Sequence, residues 1–202
     1  MELNHINVKL LVREPAQVDL DPVVPIFHNW IQNQMSDERL LDVADYRHVA
    51  AGPGVILIGL EADYSLDQAD HRLGLRYNRK AVLDGSNQDR LNQAASAALT
   101  AFARLEDEPG LKGKLRFNGH DVEISINDRL LAPNSEETRK ELSPDFEFFA
   151  SRLFGGAEYS LSYNNDHRRL FTGFLRASRP LTVTTLLENL LSASPLAGFT
   201  PN

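Results

Sequence analysis

Between residues 42 and 64 the chain gathers Asp42, Asp45, Tyr46 and His48, followed by Glu61, Asp63 and Tyr64. Paired carboxylates beside an imidazole suit hard-cation binding or proton transfer, since carboxylates supply negative oxygen and imidazole titrates near neutrality. Strand alternation argues against a single cluster. It sends Tyr46 and His48 to one side and Asp45, Glu61 and Asp63 to the other, so a joint site needs a bulge between them. Cross-strand charge pairing on a solvated face explains the same residues without a site.

A second grouping is Phe27-His28-Asn29-Trp30. Trp30 falls on the apolar stripe Val23, Ile26, Phe27, Trp30 and Ile31, which makes it a core anchor whose indole N–H needs a partner. The functional alternative puts Trp30 at a partner interface. His28 lies off the stripe and is expected to be exposed. A third grouping is the polar loop from Asn127 to Asn134. Asp128 and Arg129 offer a carboxylate and a guanidinium to a polar ligand or a partner's backbone. The plainer reading makes Asn127 and Asp128 a turn, with Asn134 or Ser135 capping the next helix.

Arg152, Arg168, Arg169, Arg176 and Arg179 interleave with Tyr159, Tyr163, Phe171 and Phe174, the composition of a single-strand-binding groove. Those aromatics alternate as core-facing residues do, and the formal net charge is −7. Phosphate neutralisation therefore has little support, and no nucleic-acid partner is expected.

Other motifs fail on chemistry. Gly52-Pro53-Gly54-Val55 lacks the third glycine of a dinucleotide loop, and its proline removes an N–H. Gly110-Leu111-Lys112-Gly113-Lys114 has no serine or threonine after the lysine. No Gly-x-Ser-x-Gly elbow occurs. The histidines at 5, 28, 48, 71, 120 and 167 never stand two to five residues apart, and Asp67-Gln68-Ala69-Asp70 lacks the glycine and terminal glutamate of a calcium loop. With no cysteine, thiolate metal sites, disulfides and thiol nucleophiles are excluded. Neither a metal nor a cofactor is expected.

The elements that position these residues follow from periodicity. His5 to Arg13 alternates, with Ile6, Val8, Leu10 and Val12 on one face and Asn7, Lys9 and Arg13 on the other. Asp21-Pro22 opens a helix expected to end near Gln34 or Met35. Leu40–Val49 and Val55–Leu66 read as strands joined by Ala50 to Gly54, with Val49 opposite Val55, and Leu73–Lys80 as a third strand with Leu66 opposite Leu73. That register puts Tyr64, Leu75 and Tyr77 with Ala44, Tyr46, His48, Ile56 and Ile58, and sets Asp63 across from Arg76.

Ser86 caps a long helix to about Glu108, with Leu91, Ala95, Ala98, Phe102 and Leu105 as its apolar face. Asn118-Gly119 is read as a two-residue hairpin turn. Helical sequence begins at Ser135, restarts at Ser143-Pro144 and stops at Gly155-Gly156. Strands at about 157–163 and 170–177 and a short helix from Thr182 to about Leu191 complete the pattern.

Adjacent strands joined by short turns predict an α+β fold: antiparallel sheet built from hairpins, with helices packed on one face. A single domain over residues 1–192 is expected, with 106–113 the only plausible internal boundary and 193–202 a C-terminal tail. The N-terminus lacks a basic segment followed by an apolar one, and no apolar run approaches the roughly 20 residues that span a bilayer. A cytoplasmic protein with no membrane partner is expected.

The chain resembles a family of uncharacterised bacterial proteins. The resemblance rests on Phe27-His28-Asn29-Trp30-Ile31-Gln32, Asp42-Val43-Ala44-Asp45-Tyr46-Arg47-His48-Val49, Gly52-Pro53-Gly54-Val55 and the segment from Ile126 to Asn134. It implies a bacterial, cytoplasmic setting and carries over no activity, cofactor or catalytic residue.

Two functional readings follow. The first is a non-enzymatic accessory or protein-interaction protein that uses a sheet edge, the Trp30 helix or the Asn127–Asn134 loop, with a homodimer expected from base rates. The second is a small-ligand-binding protein or enzyme whose site joins Tyr46 and His48 to Asn127, Asp128 and Arg129.

Overall fold

Alternation in the first strand sets the architecture. In β1 (Ile6–Val12), Ile6, Val8, Leu10 and Val12 enter the hydrophobic core, while Asn7 and Lys9 face the other way. The computed structural model describes residues 1–111 and 113–192, so the expected tail lies outside the described residues. Among these, β1 is followed by α1 (Val23–Gln32), β2 (Leu40–Tyr46), β3 (Gly54–Gly59), β4 (Ala62–Asp67), β5 (Gly74–Arg79) and α2 (Asn87–Asp107). The remainder comprises β6 (Phe117–Ile126), α3 (Glu136–Leu153), β7 (Tyr159–Tyr163), β8 (Phe171–Ala177) and α4 (Val183–Ser192).

All eight strands form one antiparallel sheet in the order β2-β3-β4-β5-β1-β6-β8-β7. The predicted α+β class with helices on one face is what the structure shows. Chain order and sheet order differ at the centre, where β1 sits between β5 and β6. The segment 106–113 therefore leads from one arm of the sheet into the strand that pairs with β1.

One core holds helices to sheet. Leu91, Ala95, Ala98, Phe102 and Leu105 of α2 are buried as their spacing predicts, and Ser86 caps that helix with Asp89 in a reciprocal capping box. The small alanines let α2 lie close over β1 and β5. On the second arm α3 brings Phe146 over β8, where Gly173 leaves room: a Cβ there would lie 2.6 Å from the phenyl ring.

Several local expectations are corrected. The segment Val55–Leu66 is two strands, since the chain reverses at Leu60-Glu61 between β3 and β4. The β2–β3 pair brings Tyr46 opposite Gly54 rather than Ile58, and β4–β5 sets Leu66 opposite Leu75 and Asp63 opposite Asn78. Val55 and Leu57 consequently join Tyr64, Leu75 and Tyr77 in the core, while Ile56 and Ile58 share the far face with Asp63 and Arg76. Even slips keep each strand's own faces, but the unread turn inverts which faces meet across β3 and β4.

Asn118-Gly119 is no hairpin turn. It is an irregularity inside β6, where the pairing with β1 shifts between Leu10 and Val12. The Asn118 side chain accepts the His120 and Asp121 N–H groups at 2.9 Å each, and Gly119 takes a φ of +85° that few other residues tolerate. Helix α3 likewise runs unbroken through Pro144. Leu142, Phe146, Phe149, Ala150 and Leu153 are all buried on its inner side, and several buried side chains at about 1.5–3 kcal/mol each outweigh the roughly 3 kcal/mol cost of an interior proline. Helix α1 starts one residue later than expected, with Pro22 rather than Asp21 at the cap, and ends at Gln32.

Candidate functional site

The face of the sheet opposite the helices is polar at its centre. Cross-strand pairing aligns Asp63, Asn78, Asn7, Ser125 and Thr172 in one row, and Ser65, Arg76, Lys9, Glu123 and Phe174 in the next. These rows cross the β1–β6 seam. A solvated sheet face tolerates such residues, but here Asn7 is only 3% exposed, Lys9 8% and Thr172 7%.

Two loops account for the burial. After β4 the chain takes a 3-10 turn at Ala69–His71, with Asp70 and His71 both at a φ of 58°. After β7 the segment 164–170 approaches from the other arm. Arg169 Nη1 donates to both Asp70 carboxylate oxygens at 2.7 Å. Beneath these loops lies a cleft of about 270 Å³ whose lining includes Asn7, Lys9, Asp67, Glu123, Arg129 and Arg169.

Its electrostatics are specific. Lys9 Nζ donates to Asp67 Oδ1 at 2.9 Å, Arg76 Nη1 donates to Asp67 Oδ2 at 3.0 Å, and the Ala69 N–H adds a bond of 2.6 Å. Burial alone pushes the Asp67 carboxyl up, but Lys9, the Ala69 N–H and Arg76 together overcome it and hold the group below its ordinary value. Glu123 goes the other way. Burial, reinforced by Asp67 and Asp70, raises its carboxyl above the ordinary value against the pull of Arg72 and Lys9. Arg72 forms an ion pair with Glu123 Oε1, yet no N–H is aligned to hydrogen-bond that oxygen.

Four cations (Lys9, Arg76, Arg129 and Arg169) line the cleft against three carboxylates (Asp67, Asp70 and Glu123). Arg129 is exposed and forms no ion pair among the described residues, whereas the other three cations do. Ser125 and Thr172 hydroxyls satisfy each other at 2.8 Å. Asn7 is not satisfied: among the described residues both its Nδ2 and its Oδ1 are buried without a partner, and the adjacent Asn78 Oδ1 is likewise unpaired. Buried polar atoms are nearly always paired, and each orphan costs about 1–3 kcal/mol. The cleft thus offers a donor and an acceptor on one amide beside an excess of positive charge.

The residues singled out by sequence are distributed differently. Trp30 is 2% exposed, packs at a tilt against Phe27 and donates its indole N–H to Glu108 Oε1 at 2.9 Å. Tyr46 and His48 are exposed and stack with ring centroids 6.3 Å apart at the end of edge strand β2. Asn127, Asp128 and Arg129 follow β6 at the opposite rim, with β3, β4, β5 and β1 between. The structure does not bring these two sets together. Asp128 accepts the Leu130 and Leu131 N–H groups, closing a turn, and Asn127 donates its N–H to the His5 carbonyl. Only Arg129 of the six reaches the cleft.

The acidic segment also divides. Asp45 is held at about 2 by its hydrogen bonds to Arg47, Asp63 pairs with Lys80, and Glu61 accepts the Arg39 N–H. Among the described residues no group of three metal-ligating side chains converges on one point.

Sequence reasoning passed over Asn7, Lys9, Asp67 and Glu123. The available signal was parity, since Asn7 and Lys9 on β1 and Glu123 and Ser125 on β6 all occupy the non-core positions of central strands. No known protein family, curated protein or solved structure matches the chain.

Proposed function

We propose that the protein binds a small anionic metabolite bearing a hydroxyl or amide group, in the cleft across the β1–β6 seam. The carrying observation is Asn7, 3% exposed with both amide atoms unpaired in the cleft lining. Its carbonyl accepts from the ligand's hydroxyl or amide N–H and its NH₂ donates to an oxygen, while Arg129 takes the anionic group. A cationic cleft in a chain of net charge −7 concentrates small anions locally. The volume of about 270 Å³ fits a ligand at the small end of the range for bound metabolites. No nucleophile–base pair is needed for this reading, which is one of binding rather than turnover.

The test is calorimetric titration with L-malate, succinamate and succinate, together with native mass spectrometry of gently purified protein. Malate or succinamate is expected to bind, with succinate weaker by about tenfold for want of the bonds to Asn7. Arg129→Gln is expected to weaken the tighter ligand by a similar factor. Absence of binding by all three at millimolar concentration, with no added mass on the native ion, removes the proposal.

A second reading, docking of another protein chain, is favoured by the edge strand β2, where Leu41 and Tyr46 are exposed beside unpaired backbone. No helix among the described residues is long and apolar enough to cross a membrane.

A further inference from the structure

The helical side of the sheet carries its own cavity, whose lining mixes apolar and aromatic side chains with polar ones. Helix α1 packs on β2 and β3, and α2 on β1 and β5. The strip of sheet between them, at Leu57 and Tyr64, is bridged by the segment 33–39. Beneath it lies a second space of about 270 Å³, bounded by Leu57, Tyr64, Trp30 and Ala101.

The polar tips of the aromatic walls are already engaged. Trp30 Nε1 bonds to Glu108, and the Tyr64 hydroxyl donates to Glu38 Oε2 at 2.7 Å. Glu38 is further occupied by the Tyr77 hydroxyl at 2.6 Å and by Arg79 at 3.1 Å. The Trp30 and Tyr64 rings are both nearly fully buried and form the floor of the space. On α2 the residues Ser96, Thr100 and Arg104 recur at every fourth position, so they stack one above another along one wall. Arg104 has no carboxylate within ion-pair distance among the described residues. Asp37, exposed on the bridging segment, also lines the cavity and forms no ion pair among the described residues. One uncommitted cation and one uncommitted anion thus stand at the rim of a pocket with an apolar floor.

We propose that this cavity binds an apolar α-amino acid as its zwitterion. Arg104, with the Ser96 and Thr100 hydroxyls, takes the carboxylate; Asp37 takes the ammonium; the side chain lies against the half-buried Leu40 and Ala97, above the floor of Leu57, Tyr64 and Trp30. The pocket is just smaller than the roughly 300–1,000 Å³ that drug-sized ligands occupy, which suits a ligand of amino-acid size. This site is independent of the polar cleft on the other face.

Trp30 is the single tryptophan of the chain, so its emission reports on this cavity and not on the cleft. The experiment titrates the full-length protein with L-leucine and L-phenylalanine by calorimetry, with Trp30 fluorescence followed in parallel. The one-charge analogues 4-methylpentanoate and 3-methylbutylamine are titrated alongside. Saturable binding of at least one amino acid with a change in Trp30 emission is expected, and each analogue should bind leucine's site about tenfold or more weakly. Arg104→Gln and Asp37→Asn, both at exposed or half-exposed positions, should each cost a similar factor. The proposal is overturned if neither amino acid binds saturably at millimolar concentration. It is equally overturned if an analogue lacking one charge binds as tightly, or if both variants, folded by circular dichroism, bind unchanged.

Discussion

Arg169 grips both carboxylate oxygens of Asp70 at 2.7 Å, joining a loop after β4 to a loop before β8 across the open face of the sheet. Both partners are about half exposed, at 52% and 55%, so the bond positions the loops more than it stabilises the fold. Asp70→Asn is expected to move Tm by no more than about 2 °C. Amide hydrogen exchange should nevertheless accelerate in both 68–72 and 164–170. Faster exchange confined to one of them would show that the two loops do not hold each other.

Asn7 predicts a trade between stability and binding. Replacing it with leucine removes two orphaned polar atoms from a buried position, and relief of about 1–3 kcal/mol is expected in urea denaturation. The same variant should lose cleft binding altogether. A variant less stable than the parent would mean that the amide has partners within the fold.

The two buried carboxylates of the cleft titrate with opposite signs. Asp67 is held below its ordinary value, so its contribution to stability is complete above about pH 3.9 and is lost as the pH falls through its folded value. Asp67→Asn, which keeps an acceptor for Lys9 but removes the charge that Lys9 and Arg76 pair with, should cost about 3 kcal/mol at neutral pH and progressively less in acid. Glu123 is raised, so folded protein holds its proton longer than unfolded protein. Its contribution is therefore complete below about pH 4.3 and declines as pH rises toward the folded value. Glu123→Gln should flatten that decline, and thermal melts between pH 4 and pH 7 read the difference directly.

Tyr64 and Tyr77 share the Glu38 carboxylate on the helical side. Burial first, and the Glu38 charge with it, raises both phenols above their ordinary value, against bonds from Ser36 to Tyr64 and from Arg79 and Gln93 to Tyr77. Their contribution to stability is full below about pH 10 and falls as pH rises beyond it. In a spectrophotometric titration these two of the five tyrosines should withhold ionisation until the protein opens. Five phenols titrating together near pH 10 in folded protein would contradict the network. Glu38→Gln should lower the onset without restoring the ordinary value, because burial remains.

Periodicity in the sequence carries the core well. The stripe on α2, the alternation in β1 and the inward residues of β6 all appear in the structure as spaced. What it misreads are places where distant contacts override local chemistry. Asn118-Gly119 has the composition of a tight turn, yet β1 pairs with Phe117 and Val122 on either side of it and the Leu181 N–H bonds to the Gly119 carbonyl, so the chain runs on. Gly59-Leu60-Glu61 makes the turn that was missed, without the Asn-Gly or Asp-Gly pair that advertises one. The cleft was hidden for the same reason. Asn7 and Lys9 read as solvated because nothing near them in sequence reveals that segments 68–72 and 164–170 close over them.

The position of β1 bears on how the chain acquires its shape. It precedes both its neighbours in the chain: β5 is completed only at Arg79 and β6 only at Ile126. The meander from β2 to β5 can assemble from near contacts, whereas β1 must be held until both flanking strands exist. Until then its apolar residues and both its backbone edges are open to other chains. Synthesis that stalls before residue 126 therefore releases an aggregation-prone nascent chain, because the strand that floors the cleft waits longer for its neighbours than any strand of the meander beside it.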